Sequence, residues 1–136
     1  MGRSVSTSAA LPELQRLAES FGVPVEVRTV SSIQDWCKAE GLEEHNPFLC
    51  GKALWDGRTQ RHLVLLADPI TPEMQSSVVS GMQLRGGVAA EDISLLADGR
   101  TFVKHLLLHE MGHVLDHERK EVACDLWAFE QLRSAA

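Results

Sequence analysis

His109, Glu110 and His113 stand in the run LLHEMGHVLD, residues 107–116, and their types and spacing suit metal-assisted hydrolysis. Residues four apart on a helix share one face, a turn above one another, so the two imidazoles can aim one nitrogen each at a single point. Glu110 is turned by about 100° from His109, so it flanks that point without occupying it. Two neutral nitrogens can hold a zinc ion there while the adjacent carboxylate takes a proton from bound water. The alternative is a buried helix that merely contains two histidines. A buried glutamate with neither metal nor cation beside it is costly, which weighs against that alternative.

A third ligand is offered by EVACD, residues 121–125. Glu121 and Asp125 are again four apart, so the first can ligate while the second accepts the N–H of a ligating histidine. Asp116, three residues beyond His113, is the rival third ligand. Two histidines and a carboxylate leave a fourth position for water, the catalytic pattern of a zinc site and not the closed structural one. Gly112, without a side chain, permits close approach of a second helix or of a substrate backbone. His105, His109, His113 and His117 form a row at steps of four that drifts by about 40° per step, so the outer two cannot both reach one ion. His105 is expected partly buried or behind the ligands, and His117 in a turn near the cleft. Cys124 reads as a small packing residue, and Trp55 and Trp127 as core in preference to the alternative of a substrate platform.

HEMGH followed by EVACD resembles the paired H-E-x-x-H and E-x-x-x-D motifs of the gluzincin metallopeptidases. HEMGHVLDH and EVACDLWAF are also similar to the ImmA/IrrE-type peptidases and the minigluzincins, small members in which a helix, a strand and a hairpin precede the motif helix. The resemblance implies one zinc ion on His109, His113 and Glu121, Glu110 as general base and Asp125 behind a histidine. Residues 101–129 carry it, and the first hundred residues agree only in the order of elements. Two features depart from the family. Only seven residues separate His113 from Glu121, so the first helix must end near Asp116 and the chain must reverse at once. The chain has no tyrosine, so a histidine such as His117, an arginine or backbone N–H groups must steady the oxyanion. Losing one such donor costs about 10²–10³-fold in rate, consistent with a slow or narrowly selective enzyme.

The elements that must position these residues are legible in the pattern. Leu11, Leu14, Leu17, Ala18 and Phe21 recur at helical spacing behind Pro12, with Gly22 as a stop. Residues 24–30 alternate as a half-buried strand, and Ser32 with Asp35 resembles a capping box before a second short helix. Residues 51–67 read as a β-hairpin turning near Asp56 and Gly57, whose second strand, residues 61–67, suits either burial on both faces or an exposed edge that pairs with substrate. Thr71 and Pro72 open a third helix, a short helix follows over residues 91–97, and Asp98 caps the motif helix over residues 101–116. That helix is apolar on nearly every side and is expected at the centre of the core. A last helix over residues 118–133 packs on it.

The 136 residues, 44% hydrophobic, suit one domain with a real core. Residues 1–8 are expected to be a disordered leader and residues 9–136 a single zincin-like domain of α+β class. Nineteen acids against thirteen bases give a charge of −6 with no basic run, which argues against nucleic-acid binding. No apolar stretch approaches the roughly 18 residues of a bilayer span, and the start MGRSVSTSAA lacks the apolar centre of a secretory signal. Three cysteines without a C-x-x-C pair suit reduced thiols in a cytoplasm. The expected function is hydrolysis of a peptide or protein substrate by a zinc metalloendopeptidase of narrow specificity. The alternatives are a catalytically silent zincin-like zinc-binding module for regulation or protein interaction, and a helical scaffold without metal.

Overall fold

The computed structural model describes residues 3–134. A short 3-10 turn at Ser8–Ala10 leads into α1 (Leu11–Glu19), β1 (Val25–Val30), α2 (Ile33–Ala39), β2 (Gly51–Asp56) and β3 (Arg61–Ala67). Then follow α3 (Pro72–Arg85), α4 (Ala90–Ser94) with a 3-10 extension at Leu95–Ala97, α5 (Gly99–Leu115) and α6 (Glu121–Ser134). The class is α+β, as expected. Among the described residues no helix is long and apolar enough to cross a membrane.

Local chemistry accounts for the element starts. Ser32, Thr71 and Asp98 each accept the backbone N–H three residues on, from Asp35, Met74 and Thr101, and so satisfy a donor that the first helical turn leaves free. Gly86 and Gly87, at φ 74° and 84°, end α3 in the left-handed region. The final helix begins at Glu121, three residues later than the pattern suggests. Asp116 is the reason: its carboxylate accepts from the Glu118 N–H and its carbonyl from the Arg119 N–H, building a tight turn where helix was expected.

The sheet has the order β1-β3-β2, with β1 parallel and β2 antiparallel to β3. β3 is therefore central, paired on both sides, and its residues Leu63 to Ala67 are buried. The alternative of β3 as a substrate-pairing edge is excluded by this order; β2 is the edge. The far edge, along β1, is partly covered. The Gln15 side chain of α1 donates to the Val25 carbonyl at 3.0 Å and accepts from the Val27 N–H at 2.7 Å, as a neighbouring strand would. Among the described residues no side chain bridges the open edge of β2 in this way.

One face of the sheet, carrying Gly51, Ala53, Val64 and Leu66, receives α5, whose Phe102, Val103, Leu106, Leu107, Leu108 and Met111 are buried. Full burial of such side chains stabilises by about 1.5–3 kcal/mol each, and α6 completes the enclosure with Ala128 and Phe129.

The expected leader is not loose within the described residues. Val5 and Ile70 exchange backbone hydrogen bonds of 2.8 Å each, and the buried Thr7 hydroxyl donates to the Ala67 carbonyl at 2.7 Å. A polar run can be fixed by backbone pairing without any hydrophobic signature, which is why composition missed it. Met1 and Gly2 lie outside the described residues.

Candidate metal centre

α5 and α6 run against each other through Gly112. A Cβ added there would come within 3.1 Å of the Cys124 Sγ, so the absent side chain is what lets the start of α6 lie close to the histidines. Glu121, first residue of α6, then reaches both: one carboxylate oxygen is 3.1 Å from His109 Nε2 and the other 2.8 Å from His113 Nε2. Asp125, one turn later, holds the opposite side of the first ring, Oδ1 to His109 Nδ1 at 2.7 Å. His109 is thus gripped at both nitrogens.

The expected residues are therefore brought together, with one addition and one exclusion. Cys124, set aside in the sequence as packing, places its sulfur in the same cluster: His109, His113 and Cys124 each offer a donor atom within 4.8 Å of the others. Asp116 has its carboxylate engaged in the turn and is exposed. Of the two carboxylates weighed as third ligand, Glu121 is the one that touches the histidines.

Electrostatics distinguish the donors. Burial disfavours a charged His109, but the hydrogen bonds with Asp125 and Glu121 outweigh it and raise the imidazolium to about 10. The His109 hydrogen bond in turn pulls Glu121 down to about 2. An ion entering here must displace a proton from His109, since only the neutral ring offers a lone pair. Burial pushes the Cys124 thiol up to about 12, so an ion drawn to the sulfur would have to displace its proton too. Burial also pushes Glu110 up to about 7, near the value that suits a general base at neutral pH.

Glu110 owes its place to Gly51 on β2. A Cβ on Gly51 would lie 3.0 Å from Glu110 Oε2 and 3.1 Å from Leu106 Cδ1. His105, one turn before His109, is buried against Phe129 with ring centroids 4.4 Å apart, and its Nε2 has no hydrogen-bond partner, Asp125 Oδ1 being 3.6 Å away. Burial pulls it down to about 4, so it is neutral and stands behind the cluster, not in it.

A cleft of about 530 Å³ opens over these residues, walled by β2 on one side and by His109, Glu110, His113, Val114 and His117 on the other. A smaller hollow of about 320 Å³ continues past Glu110 toward Ser77 and Arg85. Three contributors were not legible in the sequence. Gly51 makes room for Glu110, Arg85 reaches 3.3 Å from Asp125 Oδ2, and Lys52 pairs with Glu44 at 2.9 Å in the cleft wall. The first two depend on contacts between elements far apart in the chain, for which no local pattern exists, and the third on how the loop before β2 folds back over the strand. Trp55 is a correction of a different kind. Expected in the core, it is 54% exposed, because α5 covers the Gly51 end of its strand face and leaves the Trp55 end in the cleft wall.

No family model, curated protein sequence or solved structure matches the chain.

Proposed function

We propose that the chain is a zinc-dependent metalloendopeptidase of zincin-like fold, resembling the gluzincins. The observation that carries the reading is the pincer of Glu121 on both histidine Nε2 atoms, with Glu110 beside it and a cleft above. A bridging carboxylate between two imidazole nitrogens draws three donors around one point, and the set of two nitrogens and one oxygen is the one that suits a catalytic zinc ion. His109, His113 and Glu121 would hold the zinc ion, which when bound would supply Lewis acidity and lower the pKa of water.

The remaining work belongs to the protein. Glu110, buried and ionising near neutrality, accepts a proton from the attacking water and returns it to the leaving amine. Asp125 accepts from His109 Nδ1–H and so fixes the tautomer that turns Nε2 toward the ion. His117, on the cleft wall, is the candidate donor to the oxyanion in a chain without tyrosine. The open edge of β2 offers backbone groups along the cleft to an extended peptide.

A second reading has its own observation. If Cys124 joined Glu121 and the histidines, four protein ligands would close the site, and the protein would be a zincin-like zinc-binding module without turnover. The thiol lies against Gly112 and donates to the Arg119 carbonyl, whereas the cleft opens over the histidines, Glu110 and Glu121, which favours the first reading. Zinc per chain, measured by elemental mass spectrometry after chelator-free purification, separates them. The peptidase reading expects one zinc in the wild type and in Cys124→Ala, and loss in Glu121→Ala. Loss in Cys124→Ala as well as in Glu121→Ala marks the closed four-ligand site and overturns it, retention in Glu121→Ala removes Glu121 as a ligand, and no zinc in any of the three leaves a scaffold with two histidines.

A further inference from the structure

Trp55 is the feature of the cleft that neither the fold nor the metal-binding residues require. Half of its surface faces solvent, whereas tryptophan on a folded protein is usually well buried. Its cross-strand neighbour is His62, and the two rings meet edge to face with centroids 4.9 Å apart. Both line the cavity that contains His113, Glu110 and His117. Trp55 also lies on the strand face that carries Gly51, four residues along, and Gly51 is the position that abuts Glu110. At about 3.3 Å per residue, the ring sits roughly 13 Å from Glu110 along the edge strand.

We infer that Trp55 and His62 form an aromatic subsite that selects substrates carrying a large apolar or aromatic side chain about four residues from the bond cut. The inference rests on the peptidase reading and adds the substrate class to it. An extended chain lying along β2 shows a side chain to this face at every second residue. The residue that reaches Trp55 is therefore two such steps from the one beside Glu110. The ring has a free face to offer, and covering it removes apolar surface from water on both partners. Binding energy gained this far from the reacting atoms positions the scissile bond, so short substrates that end before the subsite turn over slowly. A purely structural role for the pair, as a clamp on the hairpin end, would add one cross-strand contact to stability and nothing to recognition.

The test uses the zinc-loaded Glu110→Gln protein, which holds a peptide without cutting it. Fluorescein-labelled decapeptides of alanine, serine and glycine, each with one phenylalanine stepped through the sequence, are compared with a phenylalanine-free peptide by fluorescence anisotropy. The expected result is about tenfold tighter binding of the peptides that place phenylalanine against Trp55 and His62. That advantage should vanish when Trp55→Ala or Trp55→Gln is added and survive with Trp55→Phe. Equal affinity for all peptides, absence of binding, or an advantage that persists in both Trp55→Ala and Trp55→Gln overturns the subsite. Wild-type cleavage is scored separately. Trp55-dependent binding without hydrolysis keeps the subsite and removes the peptidase. Hydrolysis that is indifferent to phenylalanine and to Trp55 does the reverse.

Discussion

Glu110 is a carboxylate that burial makes expensive and that the proposed chemistry needs. In the metal-free protein its native pKa of about 7 lies above the ordinary 4.5. A raised acid pKa means that the native state holds the proton longer than the unfolded chain. Stability is therefore lost as pH rises from about 4.5 to about 7 and changes no further above that. Glu110→Gln has no proton to lose. After chelation it should exceed the wild type in stability by about 1–3 kcal/mol at pH 8 and by almost nothing at pH 4. Urea denaturation at the two pH values measures this, and an equal difference at both would mean that Glu110 is not a buried ionisable acid. The same variant, reloaded, should keep one zinc while hydrolysis falls to background; residual turnover would remove Glu110 from the role of base. The residues of this site were legible because their spacing is local: His109, His113, Glu121 and Asp125 lie within two consecutive helices. Trp55 was misread because alternation along a strand tells which residues share a face, and not where the covering helix stops.

Between elements, the decisive contact is the crossing of α5 and α6 at Gly112. Alanine there gains about 1 kcal/mol of helix propensity but must push Cys124 Sγ outward from 3.1 Å. In the wild-type background the two effects oppose, and overpacking of a close helix contact costs about 1–3 kcal/mol. The net expectation is a destabilisation of about 1 kcal/mol together with weaker zinc binding, because moving α6 carries Glu121 away from the histidines. With Cys124→Ala already in place the obstacle is gone, and Gly112→Ala should be neutral or stabilising. A double-mutant cycle in thermal stability reads the difference; strictly additive energies would show that Gly112 is not a packing residue. The elements themselves were foreseeable from capping residues and periodicity, down to Ser32, Thr71 and Asp98. Sheet order was not, because it is set by the parallel pairing of β1 with β3 across an intervening helix and hairpin strand. That pairing is what makes β2 the free edge beside Glu110.

For the molecule as a whole, the proposed metal donors lie on α5 and α6, while the sheet and the rest of the core stand without them. Glu121 bonds both histidines, so after chelation these groups can keep one another satisfied and the fold should persist. Chelation should leave far-ultraviolet circular dichroism unchanged and lower the melting temperature by several degrees, since zinc at about 1,000 times its dissociation constant stabilises by roughly 4 kcal/mol. A melting temperature indifferent to chelator would argue that no ion binds this cluster. The chain's first residues bear on stability through a different route. Val5 pairs with Ile70 just beyond β3, and its Cγ2 lies 2.6 Å from where a Cβ on Gly99 would stand, at the first residue of α5. Thr7 adds its buried hydroxyl to Ala67 and its N–H to Asp68 at 2.9 Å. This segment therefore fastens the end of the central strand to the start of α5, about 21 Å of helix away from His113 by chain count. Removing residues 1–8 exposes Ile70 and leaves the Ala67 carbonyl without its donor, at a cost of about 2–4 kcal/mol. Because the ligands lie at the other end of α5, the truncated protein should melt earlier yet still bind one zinc per chain at permissive temperature. An unchanged melting temperature would return the segment to the role of a passive leader, and loss of zinc from a protein that remains folded would mean that the strap sets the position of α5 along its whole length.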